Sequence, residues 1–293
     1  MGGFFGRQGG NLGYMASLLA LLSSLLWGTA DFEGGRLSKH RAPIAVLGFS
    51  QVLGLLFGIM LVIFLGDSDA QAFGDGGYVI PGICAGFLGY FGLICLYAGL
   101  ASGSMGVVSP ISALSAVIPL SYALINGESL SLITSIGITL ALAGAFCASG
   151  PELSQGLPIR PLLLAIGAAC GFGTALTFIS IGSQSSALMT MVTMRMATLI
   201  LTLGIALRYR SLGGFTKSEY PSLAFMGIAD FLANLLLGVA CSKGSVSVAM
   251  VLGSMYPIAT ALLAFRFLHE RLHKVQYVGI ALAVGGVALI SAF

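Results

Sequence analysis

Apolar positions in this chain neither alternate nor recur on one helical face. They fill blocks of about 20 residues, the length needed to cross a bilayer's hydrocarbon core as a helix. Ten such blocks can be read, roughly 13–36, 43–65, 78–100, 104–126, 131–149, 161–182, 186–207, 221–242, 245–267 and 274–292. The breaks between them carry charge, glycine and proline, as in GRLSKHRAP, GDSDAQAFGDGG, NGESLS, SGPELSQGLPIRP and HERLHK. None is long enough for a separate soluble domain. The pattern predicts an all-α membrane protein of ten transmembrane helices.

Composition removes the alternatives. The 293 residues are 57% hydrophobic and only 8% charged, with a mean hydropathy of +1.00. A soluble domain carries about 25% charged residues to cover its surface, so a soluble enzyme or a disordered chain is excluded. The net charge of +3 offers no field for nucleic acid. Five scattered cysteines without a C-x-x-C pair suggest neither a disulfide framework nor a metal cluster. The first residues, MGGFFGRQGGN, are too short and glycine-rich to read as a separate signal peptide. No phosphate-binding G-x-x-x-x-G-K-[ST] motif is present and no cofactor is implied. The 42 glycines suit helices that must approach closely where lipid gives no hydrophobic drive to associate.

The two halves resemble each other. Trp27-Gly28-Thr29-Ala30 matches Phe172-Gly173-Thr174-Ala175 at an offset of 145, and Asn126-Gly127-Glu128 matches Leu268-His269-Glu270 at 142. Ser102-Gly103-Ser104 corresponds to Lys243-Gly244-Ser245, and GITLALAGAF to GIALAVGGVAL. The expected organisation is a first five-helix repeat over 1–149, a linker over 150–160 and a second repeat over 161–293. Five is odd, so the second copy enters the membrane from the opposite side, and such inverted repeats are a transporter signature. Arg36, Lys39, Arg41, Arg160, Arg208, Arg210, Lys217, Arg271 and Lys274 fall on one side of this topology, which by the positive-inside rule puts both termini outside.

Ionisable groups at membrane depth are costly and invite a functional reading. Asp31, one turn after Trp27, can hold a proton or pair a substrate amine; alternatively Asp31 and Glu33 reach the interface together with Arg36. Arg195 and Asp230 form a structural ion pair, or Arg195 recognises a substrate carboxylate. Asn234 shares the face of Asp230. Trp27, the only tryptophan, walls a cavity or packs against a helix. In the third block Phe87, Tyr90, Ile94 and Tyr97 make an aromatic stripe, which is core or site. Ser109, Ser112, Ser115 and Pro119 in the fourth block answer Ser247, Met250, Ser254 and Pro257 in the ninth, with Tyr256 beside them. Small polar faces with prolines serve close helix crossing or offer freed backbone to a polar ligand. His269-Glu270-x-x-His273 fits the H-E-x-x-H zinc-protease pattern. It lies at a membrane boundary without a third ligand, so a solvated cap with Arg266 and Glu270 at i and i+4 explains it better.

L-L-W-G-T near the start and SMYPIATALLAFRFLHERL in the ninth block resemble the EamA family of the drug/metabolite transporter superfamily, over about 17–292. His269 stands where that family's ending has Gly. The resemblance implies a secondary transporter with a central cavity between repeats, moving small metabolites, often amino acids and often outward, by alternating access. It also implies termini in the cytoplasm, against the charge count. The expected site residues are Trp27, Asp31, Tyr90, Tyr97, Ser112, Arg195, Asp230, Asn234, Ser254 and Tyr256. The expected partners are a small-molecule substrate, a proton where transport is coupled, and the lipid of the cytoplasmic (inner) membrane, with the chain a monomer or weak dimer. The alternatives are an intramembrane zinc protease and a non-transporting scaffold.

Overall fold

The computed structural model describes residues 3–38, 40–66, 70–101, 108, 111–149, 159–209, 214–267 and 273–292, and every regular element among them is helical. In chain order these are α1 (Gly3–Ser38), α2 (Pro43–Leu65), α3 (Val79–Ala101), a 3-10 turn (Leu114–Ala116) entering α4 (Val117–Ile125), α5 (Leu132–Ala148), α6 (Ile159–Tyr209), α7 (Tyr220–Lys243), α8 (Val246–Gly253), α9 (Tyr256–Phe267) and α10 (Lys274–Ala292). Among the described residues six stretches are long and apolar enough to cross a membrane. The fourth, fifth and tenth expected blocks are represented by shorter apolar helices, 111–125, 132–148 and 274–290.

The interruptions have local causes. Continuous helix 159–208 contains two of the expected blocks, divided at Ser186, whose φ of −155° and ψ of 117° are extended. The Ser186 hydroxyl accepts from Met189 N–H at 3.0 Å, so it caps the second half of α6 as a new helix start. In α4, Pro119 has no N–H for the carbonyl of Ser115, and the helix tightens into a 3-10 turn there. Pro257 likewise cannot donate to Gly253, and α8 ends there. Gly127 takes φ +92° to turn the chain out of α4, a conformation that only glycine adopts without cost.

Packing relies on small residues. Gly28 on α1 lies against the backbone of Tyr256 and Thr260 on α9, and Gly173 on α6 lies against Ser115 and Ile118 on the fourth segment. α3 packs on both halves of α6, with Gly82 against Thr193 and Gly86 against Met194 and Ala197. α7 crosses α2 where Gly54 meets Gly227. α5 and α10 form a close pair: Gly137 meets Ile290, Gly279 meets Ala148, Gly144 meets Ala283 and Gly286 meets Ala141. Large apolar side chains such as Ile63, Phe64, Ile125 and Leu207 are exposed, as on a surface covered by lipid. The largest buried cluster joins α1, α5, α7, α8 and α10 through Ala20, Ala141, Leu237, Ala240, Met250, Leu252 and Ala283.

Candidate functional site

A cavity of about 210 Å³ lies between α1, α2, α3, α6 and α7, reached also by both helix breaks through Ser115 and Ser254. An enclosed apolar cavity of about 150 Å³ already admits benzene, so this one has room for a small organic molecule. Its walls are mostly apolar, with Leu47, Leu93, Leu176, Ile179, Met194 and Met226 among them.

One wall is a hydrogen-bonded ionic network. Arg195, 4% exposed, pairs through Nη2 with Asp230 Oδ2 at 2.6 Å. Its Nη1 donates to Gln51 Oε1, and Gln51 Nε2 donates to Asp230 Oδ2 at 3.2 Å. Trp27 Nε1–H donates to Asp230 Oδ1 at 3.0 Å. Asn234 Nδ2 reaches the same oxygen at 3.3 Å and the Asp230 carbonyl at 2.7 Å. The Tyr256 ring meets Trp27 edge-on, with centroids 6.1 Å apart. A buried charge pair is tolerable only when its remaining polar capacity is satisfied. Here four residues from α1, α2, α6 and α7 satisfy Asp230. Arg195 Nε stays without a partner among the described residues.

The opposite chemistry comes from Asp31. Its carboxylate opens into the cavity and makes no hydrogen bond or ion pair among the described residues, while it senses the charge of Asp230 and lies near the Tyr256 phenol. Glu33 turns away to a 2.5 Å salt bridge with Arg36, so the interface cluster expected for both acids forms without Asp31. Tyr90, 3% exposed, also lines the cavity, and its buried hydroxyl lies near that of Thr202.

Eight of the ten expected residues therefore line one cavity: Trp27, Asp31, Tyr90, Arg195, Asp230, Asn234, Ser254 and Tyr256. Ser112 does not. It is buried and its hydroxyl bonds back to the Val108 carbonyl at 2.8 Å, as a helical serine readily does. The side chain of Tyr97 lies outside the described residues, as do Ser109, His269 and Glu270. Arg266 lies over the Phe267 ring at 5.7 Å. The aromatic stripe splits: Phe87 and Ile94 are exposed while Tyr90 points inward, because a step of three residues rotates the face by about 60°. Ser254 lines the cavity, though its hydroxyl donates to the Val251 carbonyl at 2.7 Å.

Sequence reasoning missed Gln51 and Thr198. A lone glutamine inside the apolar α2 was the available signal for the first. Thr198 follows Arg195 by one helical turn and bonds back to its carbonyl at 3.0 Å.

Comparison with known proteins agrees with this architecture. The model of the EamA-like transporter family matches residues 14–150 and again 159–292. An uncharacterized protein of Methanocaldococcus jannaschii is 27% identical over 130 residues, which is 44% of this chain and 95% of that protein. A solved structure described as "Crystal structure of protein" aligns with a TM-score of 0.77 at 18% identity, covering 94% of this chain and 96% of its own. That likeness concerns the fold.

Proposed function

As the chain belongs to the EamA-like transporter family, we propose that it is a multi-pass secondary transporter of the cytoplasmic membrane that carries small zwitterionic metabolites, amino acids above all, outward by alternating access. Its units are a first repeat over 1–149 and a second over 161–293, ten spans in all, inverted with respect to one another. The family is one of transporters, and the metalloprotease reading of His269, Glu270 and His273 gains no support from it.

The inverted-repeat reading is supported by how contacts map onto each other. Adding 142 to Gly137 and Gly144 gives Gly279 and Gly286, and the Gly137–Ile290 contact then corresponds to Gly279–Ala148, as Gly144–Ala283 does to Gly286–Ala141. Gly28 against α9 corresponds in the same way to Gly173 against the fourth segment. The Methanocaldococcus jannaschii relative, nearly all of which is matched by under half of this chain, also suits a duplicated unit.

The observation that carries the substrate reading is the unpaired Asp31 carboxylate in a cavity that Arg195 and Tyr90 also line. A carboxylate in an apolar cavity takes either a cationic group or a proton. A substrate ammonium satisfies Asp31, and a substrate carboxylate faces the wall that Arg195 builds. Energy comes from a proton on Asp31 or from the substrate gradient, and the chain functions as a monomer or weak dimer. Counterflow in proteoliposomes tests this: an imposed gradient of the right amino acid accumulates its labelled form, whereas failure of every member of an amino-acid panel to move defeats the assignment.

A further inference from the structure

Two polar contacts lie beyond opposite ends of α7. Before its first residue, Glu219 takes both guanidinium arms of Arg41 at 2.8 Å. After its last, Ser245 donates its hydroxyl to Glu128 Oε1, and Ser247 N–H approaches both carboxylate oxygens at 3.3 and 3.4 Å. α7 has 24 residues, about 36 Å of helix, so the contacts sit at opposite faces of the molecule. The cavity lies between them. Its α7 lining is Met226, Asp230 and Asn234, its first α2 residue is Leu47, and nothing from Leu237 to Ser247 lines it. The Glu128 end is instead filled by Leu237, Ala240, Cys241, Met250, Val251 and Leu252, all nearly inaccessible. The Glu128 face is closed in this conformation.

The geometry points to Glu128 as the latch that holds the closed face shut. Gly127 turns the chain at the end of α4, and Glu128 N–H bonds back to the Ala123 carbonyl at 3.0 Å, which fixes the start of the side chain. The carboxylate then meets the start of α8, where unpaired N–H groups and the helix dipole favour an anion. Ser245 serves both sides of the joint, because its oxygen accepts from Val248 N–H at 3.1 Å while its hydrogen goes to Glu128. One carboxylate thus ties the end of a first-half helix to the beginning of a second-half helix. A rocking of the halves that opened this face would have to break that tie. The inference rests on the alternating-access reading above and adds a positioning residue to it.

The native Cys241 supplies the reporter. It is 2% exposed, lies behind the latch and is held by Gln184 Nε2 donating to its carbonyl at 3.2 Å. The experiment uses the full chain in proteoliposomes, with Cys84, Cys95, Cys147 and Cys170 changed to serine. A membrane-impermeant maleimide is applied from the Glu128 face in wild-type, E128Q and S245A backgrounds. Losing a charge-assisted hydrogen bond shifts an open–closed equilibrium by about tenfold or more. Cys241 labelling therefore rises by about that factor in E128Q and less in S245A, which keeps the Glu128 charge beside the thiol and so reads opening alone, while the thermal midpoint stays near that of the parent. An unchanged labelling rate in a folded E128Q or S245A protein overturns the latch even if transport persists. Should E128Q fail to fold, S245A alone decides. Faster labelling in a protein that moves no amino acid upholds the latch and removes the transport reading instead.

Discussion

Asp230 and Asp31 are the same residue type on the walls of one cavity, and the structure treats them in opposite ways. Asp230 accepts from Arg195, Gln51, Trp27 and Asn234. Asp31 has no hydrogen bond or ion pair among the described residues. A carboxylate satisfied by four neighbours holds helices together and has nothing left to give a ligand. One left open to a small, mostly apolar cavity has its partner still to come. Depth in the membrane does not separate these two acids; the occupancy of their lone pairs does.

The largest effect should come from breaking the occupied wall. Removing one member of a buried ion pair leaves the other charge stranded, at about 3–5 kcal/mol, whereas replacing both by apolar residues is often neutral. Arg195→Met and Asp230→Leu should each lower the thermal midpoint and the yield of monodisperse protein sharply. The double variant should regain the midpoint but not counterflow, because the charged wall of the cavity is gone. A double variant that transports normally would make the whole network scaffolding.

Asp31→Asn should do the reverse. With no partner lost, stability should stay within about 0.5 kcal/mol of wild type, while counterflow of zwitterionic substrate and its dependence on pH disappear. Unaltered transport would return Asp31 to the surface role that its neighbour Glu33 plays with Arg36.

Much of this division was legible in the chain. Asp31, Arg195 and Asp230 stand out because charge is rare in apolar blocks, and the Arg195–Asp230 pair followed from that rarity. The helical period put Asn234 beside Asp230. Gln51 was a weaker signal, a lone uncharged polar residue inside the apolar α2, whose role shows only through its partners Arg195 and Asp230. Ser112 was misleading because a serine in a helix satisfies itself on the preceding turn, and spacing cannot distinguish that from a hydroxyl offered to a ligand. The apolar blocks located the helices and also the division of α6, since one block ends at 182 and the next starts at 186, where Ser186 leaves the helical angles.

The likeness of the halves allows a matched test of smaller size. Gly144 and Gly286 occupy corresponding places in the α5–α10 pair, where an added Cβ would come within 2.7 Å of Ala283 Cα and 2.6 Å of Ala141 N. Gly144→Ala and Gly286→Ala should therefore cost similar amounts, about 1–3 kcal/mol each for overpacking against backbone, read from thermal unfolding in detergent. Strongly unequal losses would argue against a two-fold relation at this seam.

The smallest effect is expected at the Arg41–Glu219 contact, outside the spanning segments, and its sign is fixed by the site. The Arg41 side chain, together with the N–H and hydroxyl of Thr216 at 2.7 Å, holds the Glu219 carboxyl at about 2, below its ordinary 4.5. A group lowered on folding adds stability in full above its unfolded value and loses it as the pH falls through the folded one. Stability from this contact is thus complete at neutral pH and declines from about 4.5 towards 2. Glu219→Gln should remove that part of the acid dependence, with less change at neutral pH than either interior variant, and added salt should shrink the difference because the pair is partly exposed. If wild type and Glu219→Gln lose stability in parallel over that range, the acid sensitivity belongs to another carboxylate.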